Sequence, residues 1–351
     1  MEPARINSLT FEVYSMLYKG HCQITGVGSF FPEQAVSSID LMNELKTEVR
    51  FGIPHDWMDT KIGVKARRYA SDQTKPSELS LIAAIQAIDD AGVTPADIDA
   101  VIYCGIVGDQ IEPSTAHNIQ AEVGAVNAEC LDVHNACHGF CNGISIANMM
   151  IAAGAEHVLV VTAELTRGAR QVFPALEKAK DVDEFHSKIG ILTVGDGAGA
   201  MIISRKQVDY EGIQQINCKS WGEHAELCSY DLDLGHFKGG MNMEKISALM
   251  LRFNGNLLKT TLRILDWNKE SIDHLIMHQV GQRPFDGMLK LTGVAREKAP
   301  KTLDNYGNIT TATIPANYHM LKQSGRLSSG DRCLIIGGGS GVVVSHMGII
   351  I

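Results

Sequence analysis

Apolar and polar positions along the chain follow two patterns, one typical of strands and one typical of amphipathic helices. Residues 130–134 alternate and residues 157–163 are almost continuously apolar, as in short strands. After Cys137, apolar side chains recur at helical spacing as far as Gly154, a residue type that often ends helices. The segment 77–91 has the same helical spacing and precedes Gly92. Ile191 to Ile203 is predicted to form two short strands about a glycine turn.

The second half of the sequence repeats features of the first. Residues 98–107 and 272–281 each follow a helical pattern and a turn, begin with Ile-Asp and continue as an apolar strand. Cys137 and Asn308 each lie 17 residues before a glycine that leads into another apolar strand. Self-similarity in matching order indicates an internal duplication. We place the two halves at 1–205, with the cysteine, and 206–351, with His278 and Asn308.

Cys137 lies where a predicted strand turns sharply into a predicted helix. A thiol at a helix start faces the positive end of the helix dipole, so we expect its pKa to fall, as a cysteine nucleophile requires. Two other interpretations remain open on this stretch alone. Cys137 is a buried core residue in the first. In the second, a zinc-binding module uses His134, Cys137, His138 and Cys141, whose spacing would suit metal ligands on one helix.

The duplication gives Cys137 two partners. If the halves pack about a pseudo-twofold axis, equivalent helix starts meet, and Cys137 and Asn308 are equivalents. His278 ends the strand equivalent to the one that bears Cys104. We therefore expect Cys137, His278 and Asn308 to converge on one cleft. The glycine-rich run 337–341 would let backbone N–H groups approach closely, as an oxyanion hole requires.

Composition narrows the function classes. The chain has 351 residues and a net charge of −9, which argues against general nucleic-acid binding. Its apolar runs are too short to span a membrane. It has eight cysteines and no secretory signal, so we expect reduced thiols and a cytoplasmic location. Near the N-terminus, Trp57 lies beside Lys61 and Arg67. This group would stack an adenine and hold phosphates if exposed, or it is a core Trp beside a solvated basic run.

Together these residues resemble the thiolase superfamily, and most closely its β-ketoacyl-acyl-carrier-protein synthase III branch. The segments 135–140, 278–279 and 307–308 resemble the three catalytic motifs, and the similarity covers nearly the whole chain. The resemblance implies a five-layered αβαβα fold of two duplicated halves, usually as a homodimer. It implies catalysis by Cys137, His278 and Asn308, and an oxyanion hole from the N–H groups of Cys137 and Gly338.

The resemblance also implies where substrates bind. Trp57 falls at the adenine-stacking position, with Lys61 as a basic neighbour, and Arg283 matches a residue at the carrier-protein entrance. Two positions depart from the pattern: Gly281 replaces an Asn, and Glu112 replaces an aromatic of the acyl pocket. The run 112–116 is similar to head-to-head acyl-CoA condensing enzymes of bacterial olefin synthesis, in which the glutamate acts as a base from the neighbouring subunit. Glu112 alternatively only opens a helix.

The expected function is that of a condensing acyltransferase. Cys137 is acylated from acyl-CoA, and the acyl group then condenses with a malonyl thioester on acyl carrier protein or CoA, with loss of CO2. The alternatives are head-to-head condensation of two acyl-CoAs and acyl transfer to another acceptor. No metal or cofactor is expected, since acyl-CoA and the malonyl thioester are substrates. The expected partners are acyl carrier protein and a second copy of the chain.

Overall fold

A computed structural model describes residues 15–166, 173–233 and 236–351. Two five-stranded sheets form its centre, and the remaining strands make two small ribbons. The strands are β1 Met16–Lys19, β2 Cys22–Phe30, β3 Ala35–Ser37, β4 Ala66–Arg68, β5 Ala100–Tyr103, β6 Glu129–Asp132, β7 His157–Glu164, β8 Gly197–Arg205, β9 Gly212–Ser220, β10 Cys228–Asp233, β11 His236–Met241, β12 His274–Met277, β13 Arg332–Gly339 and β14 Val343–Ile350.

The helices surround and separate the two sheets. They are α1 Ser38–Glu44, α2 Thr47–Phe51, α3 Pro76–Ala91, α4 Thr115–Val123, α5 Gly139–Ala153, α6 Phe173–Glu177, α7 Val182–Lys188, α8 Met243–Leu265, α9 Gln282–Thr292, α10 Leu303–Tyr306 and α11 Thr313–Gln323. Shorter 3-10 turns cover Pro95–Asp97, Ile189–Thr193, Gly222–Leu227, Arg296–Lys298 and Thr310–Ala312, and a π turn covers Met58–Ile62.

The two sheets share one topology. In the first, the order is β2-β8-β7-β5-β6, and in the second it is β1-β9-β14-β13-β12. Along β2-β8-β7-β5 the pairings are antiparallel, antiparallel and parallel. The same sequence of pairings runs along β9-β14-β13-β12. The predicted duplication is therefore present in the strand order. The boundary at residue 205 stays a prediction, and the pairing of β1 with β9 crosses it.

Five layers follow from which face of each sheet the helices cover. Helices α5 and α11 lie between the sheets, where Phe140, Ile144 and Tyr318 belong to one buried cluster with residues of both. Helices α3 and α4 cover the outer face of the first sheet. Helices α8 and α9 cover the outer face of the second. The arrangement is the five-layered αβαβα thiolase fold expected from the resemblance.

Most predicted elements are confirmed, with two differences. The helix predicted over 77–91 is α3, and the strand predicted over 157–163 is β7. The prediction of two strands between 191 and 203 was wrong. Ile189–Thr193 is a 3-10 turn and Gly197–Arg205 is one strand, because β8 is held on both sides by β2 and β7. Within the parts of the chain that the structure describes, no helix is long and apolar enough to cross a membrane.

Candidate active site

Cys137 lies at the carboxyl edge of the first sheet, between β6 and α5. Strand β6 ends at Asp132, and α5 begins at Gly139. The turn between them is tight, and Ala136 adopts a positive φ of 44°. The small side chain of Ala136 limits the strain of this conformation. The prediction that the helix begins at Cys137 is therefore displaced by two residues.

The expected lowering of the Cys137 pKa was wrong. Burial, with smaller contributions from the charges of Glu164 and Cys228, raises the pKa of this thiol to about 12. A thiolate loses the hydration that would stabilise it when packed protein surrounds the sulfur. At neutral pH Cys137 therefore rests as a thiol. Its activation has to come from the groups around it when substrate binds.

His278 faces the same cleft from the second sheet. It directly follows β12, and its N–H donates to the carbonyl oxygen of Ile336 on β13 at 3.2 Å. The ring is buried, and across the described ranges neither Nδ1 nor Nε2 has a hydrogen-bond partner. Burial lowers the pKa of His278 to about 4, the charge of His138 acts in the same direction, and the backbone of Thr310 opposes both. The imidazole is therefore neutral at pH 7 and has one N–H to donate.

Asn308 is fixed by its backbone, which leaves its amide group available. Its N–H donates to the oxygen of Thr193 at 2.8 Å, and its carbonyl accepts from Gly195 N at 3.2 Å. Its Oδ1 accepts from Thr310 N at 3.0 Å. The Nδ2 group makes no hydrogen bond with any described residue, so Asn308 can donate to a ligand.

Cys137, His278 and Asn308 are linked through shared neighbours. The charge of Glu164 raises the pKa of Cys137, and the Glu164 carboxyl accepts a hydrogen bond from the hydroxyl of Thr311. The backbone of Thr310, the residue before Thr311, raises the pKa of His278. The charge of His138, which follows Cys137 in the chain, lowers it. The fold thus gives the three residues predicted to converge a common set of neighbours, which are Glu164, Thr310 and His138. Their catalytic roles stay predictions.

The glycine run closes the cleft from the second sheet. A Cβ atom on Gly339 would lie 3.0 Å from Cβ of His138, and one on Gly337 would lie 2.4 Å from Sγ of Cys141. Only glycine allows β13 to approach α5 this closely. In an antiparallel pair of strands, every second residue bonds to the partner strand. Asp331 is such a residue, because its oxygen accepts from Ile351 N–H, so the N–H of Gly338 points away from β14 and past the end of β12. That is the side on which His278 lies.

His138, which sequence analysis considered individually only as a metal ligand, is a residue of the site. It is fully buried, and its Nδ1 and Nε2 lie 2.9 Å from Asn142 Oδ1 and 2.8 Å from Ser345 Oγ. Both ring nitrogens are therefore occupied. His134 lies elsewhere, with Nδ1 2.6 Å from the oxygen of Gly105. No group of three or more metal-ligating side chains forms among the residues described, so the zinc interpretation has no support in the geometry.

The chain resembles known proteins over nearly its whole length. Family models for 3-oxoacyl-[acyl-carrier-protein] synthase III match residues 131–172, and its C-terminal part matches residues 262–349. β-Ketoacyl-[acyl-carrier-protein] synthase III of Rickettsia massiliae is 28% identical over 92% of this chain and 96% of its own length. That of Listeria innocua is 29% identical over 91% and 95%. A crystal structure of cerulenin-bound OleA of Xanthomonas campestris superposes with a TM-score of 0.88, at 26% identity over 96% and 98% of the two chains.

In sequence the chain is similar to β-ketoacyl-acyl-carrier-protein synthase III, and in fold it is similar to OleA. It is a condensing acyltransferase. Both matched segments carry site residues, since the first contains Cys137 and Glu164 and the second contains His278 and Asn308.

This enzyme has a carboxyl in its site that sequence analysis missed. Glu164 ends β7, is only 6% exposed, and accepts from Ile106 N at 3.2 Å as well as from Thr311. Burial raises the pKa of Glu164 to about 7 against the opposing effect of these donors. One signal was available. Strands β5, β6 and β7 are parallel, so a polar residue ending β7 reaches the same edge as Cys137.

The residues predicted to bind CoA lie on neighbouring elements. Trp57 precedes the π turn that carries the exposed Lys61, and Gly63 packs against Gln282, next to the exposed Arg283. The Trp57 ring is half-buried, and its centroid lies 6.0 Å from that of His186 at 20°. His186, on α7, was not predicted. A phosphate-binding role for Arg67 was wrong, because its side chain is fully buried and donates to Leu192 O at 2.6 Å.

Glu112 lies on an exposed loop before α4. The loop also exposes apolar side chains: Ile111 is 103% exposed and Val107 is 53% exposed. Nearer the strand the loop is ordered by Asp109, which accepts from Ser77 N at 2.9 Å and Asn118 Nδ2 at 2.8 Å. In the isolated chain Glu112 thus takes part in none of the interactions described above for Cys137, His278 and Asn308. A role in the site requires that a second chain bring it there.

Proposed function

We propose that this enzyme forms a β-ketoacyl thioester by decarboxylative condensation. Cys137 takes an acyl group from acyl-CoA, and a malonyl thioester on acyl carrier protein or CoA then attacks it. The observation that carries the proposal is the neutral His278 ring, whose nitrogens make no hydrogen bond among the described residues, together with Asn308, whose Oδ1 is held by Thr310 N. Two neutral donors beside a buried thiol suit the stabilisation of a developing oxyanion better than acid–base chemistry at neutral pH.

In the acylation step, the sulfur of Cys137 forms a bond to the carbonyl carbon of the acyl thioester. The thiol proton is lost as this bond forms and is taken up by the CoA sulfur. The C–S bond to CoA breaks, and the CoA sulfur leaves with the electron pair. The N–H groups of Cys137 and Gly338 donate to the oxyanion of the tetrahedral intermediate. Gly338 N–H points to the side of the cleft that this role requires.

In the condensation step, the malonyl thioester takes the place of CoA. His278 and Asn308 donate hydrogen bonds to its carbonyl oxygen, which gains negative charge as CO2 leaves. The resulting enolate carbon attacks the acyl carbon on Cys137, and the electron pair of the broken C–S bond returns to the sulfur. The product is a β-ketoacyl thioester. The sequence of steps needs neither a metal nor a cofactor.

Trp57, Lys61 and Arg283 support the substrate-binding part of the proposal. Trp57 offers a planar surface for adenine, and the near-parallel His186 ring faces it. Lys61 is exposed for phosphate, and the exposed Arg283 lies beside Gln282, where an acidic carrier protein would meet the chain. We propose further that the enzyme is a cytoplasmic homodimer. A second chain would cover the apolar loop around Ile111.

A second candidate function is the head-to-head condensation of two acyl-CoAs, and Glu112 favours it. Decarboxylation generates a carbanion without a base, whereas two simple acyl-CoAs require removal of an α-proton. Glu112 becomes that base if a second chain carries it to the cleft. The exposed apolar residues beside it favour such an interface.

The test is a panel of acyl-CoAs followed by intact-protein mass spectrometry and peptide mapping. One acyl group should appear on Cys137, be absent in Cys137→Ala, and persist in Cys141→Ala, whose thiol lies one helical turn further on. Malonyl thioester should then release the label as a β-ketoacyl product together with CO2. Label retained by Cys137→Ala would refute the assigned nucleophile.

The same assay separates the two functions through Glu112→Gln. The decarboxylative function predicts that this variant keeps much of its activity with malonyl thioester. Product formed from acyl-CoA alone, and lost in Glu112→Gln while Cys137 is still acylated, would establish the head-to-head function instead.

A further inference from the structure

Glu164 holds the segment that follows Asn308. Thr311 donates its hydroxyl proton to Glu164 Oε1, so its oxygen is left to accept from Thr162, whose Oγ1 lies 2.6 Å away. Thr162 and Glu164 both belong to β7, two residues apart on one face of the strand. The first sheet thus grips the Thr310–Ala312 turn of the second half through two side chains. Asn308 Oδ1 accepts from the first residue of that turn.

The carboxyl of Glu164 is held from its own half as well. Its Oε1 accepts from Ile106 N at 3.2 Å in addition to the hydroxyl of Thr311. Hydrogen bonds from Thr310 and Thr311 oppose the effect of burial on the pKa of this carboxyl. Glu164 is therefore fixed between the end of the first sheet and the turn that follows Asn308.

Three ionisable groups feel the charge of Glu164. These are Cys137, Cys104 and Tyr103, each of which that charge makes harder to ionise. Tyr103 donates to Val107 O at 2.6 Å, and Cys104 is fully buried under α5. Burial raises the pKa of both well above the usual range, so they remain neutral. Only Cys137 has to become an anion during the reaction.

We propose that Glu164 is a positioning residue of the condensation site, which holds the Asn308 segment through Thr311 and governs the nucleophile by the charge of its carboxyl, which ends a strand at the same sheet edge as Cys137. The inference rests on the proposed role of Cys137. When Glu164 is protonated, it leaves the thiolate unopposed. When it is ionised, it repels the thiolate in acylation, where the thiol loses its proton, and again in condensation, where the C–S electron pair returns to sulfur.

The experiment compares Glu164→Gln with the wild type in the rate at which iodoacetamide alkylates Cys137, followed by peptide mass spectrometry from pH 6 to 9. Gln keeps the shape of the protonated acid and its acceptor oxygen but has no charge. We expect roughly three- to tenfold faster alkylation in Glu164→Gln at pH 8, and nearly equal rates at pH 6, where the wild-type carboxyl is largely protonated. Glu129→Gln, an exposed site at the other end of β6, is the matched control.

The positioning role is tested separately with Thr311→Val, which removes the hydroxyl and keeps the side-chain shape. Condensation should fall about tenfold while acylation of Cys137 stays near the wild-type rate. Equal alkylation of Glu164→Gln and wild type at pH 8, or equal losses of acylation and condensation in Thr311→Val, would overturn the inference. If the wild type itself is not acylated on Cys137, the proposed function fails instead. Thermal unfolding of each variant shows that it is folded.

Discussion

At the scale of single residues, burial disfavours charge throughout the site. Burial raises the pKa of the Cys137 thiol and of Glu164 and lowers the pKa of His278. Each shift disfavours the charged form, as desolvation must. In such surroundings a hydrogen bond to a newly formed oxyanion is worth far more than in water. The burial that disfavours charged side chains in the resting site therefore also strengthens the hydrogen bonds that stabilise a charged transition state.

His278→Ala and Asn308→Ala should separate the two steps of the reaction. Their donors act on the enolate, which has no other evident partner, whereas the oxyanion of acylation has backbone donors. Each variant should therefore still accumulate acylated Cys137 and should lose condensation by about 10²- to 10³-fold. Single-turnover acylation by mass spectrometry and steady-state product formation measure the two steps.

His134→Ala is the matched control for these variants. His134 lies two residues after the same strand as Cys137, but its ring is directed to Gly105 O. It should leave both steps within about threefold of the wild type. A loss of acylation as large as the loss of condensation in His278→Ala would show that the division of roles is wrong.

At the scale of elements, the sequence predicted where chain direction changes but not what holds each turn. The helix after Cys137 was found from apolar spacing, because α5 is buried between two sheets. Its start was displaced because Ala136 takes a left-handed conformation that no local pattern marks. The 3-10 turn at Ile189–Thr193 was missed because its apolar side chains pack in a separate cluster with Met42 and Met58, which are distant in sequence.

Arg67 shows the same limit. Beside Trp57 in the sequence it suggested phosphate binding, but β4 directs it inward. Its guanidinium donates to Val36 O at 3.2 Å and Ser38 Oγ at 2.9 Å, and its stem lies against Gly195 and Gly307, which flank Asn308. It is an internal support for the loops that carry Asn308.

Arg67→Met should therefore destabilise the fold and weaken condensation. Removal of the guanidinium leaves two carbonyl oxygens and a hydroxyl buried without a donor, which costs about 2–4 kcal/mol of unfolding free energy. Urea denaturation measures this cost. Lys65→Met, at an exposed position in the same segment, should change stability by less than about 0.5 kcal/mol. Similar effects in both variants would show that Arg67 is not a support.

At the scale of the whole molecule, the duplication explains why three distant residues meet. Each half places polar residues at the carboxyl edge of its sheet, and the shared central helices bring the edges together. The sequence could predict this convergence because Cys137 and Asn308 occupy repeat-matched positions. It did not single out Glu164, whose contact with Thr311 in the other half has no signal in the sequence. Contacts between halves follow from the fold and leave no periodic signal.

Buried titratable groups from both halves also make stability depend on pH in two opposing directions. The pKa of His278 falls to about 4 and that of His346 to about 3, so both take up protons more readily when unfolded. Their contribution to stability is present above pH 6.5 and is lost as pH falls below it. The pKa of Glu164 is raised from 4.5 to about 7, so its contribution is present below pH 4.5 and is lost as pH rises through 7.

Glu164→Gln isolates the second term, because Gln cannot titrate and the histidines are unchanged. As the Glu164 pKa is displaced upward by about 2.5 units, wild-type stability should fall relative to the variant by about 3 kcal/mol between pH 4.5 and 8. Urea unfolding of both proteins at pH 5 and pH 8 measures this difference. Glu129→Gln should show no such divergence from the wild type, since its carboxyl is exposed. A constant difference between Glu164→Gln and wild type at the two pH values would mean that Glu164 is ionised in the folded protein at pH 5. In that case the carboxyl beside Cys137 would be a permanent negative charge, and the cleft would disfavour a malonyl carboxylate throughout the pH range of catalysis.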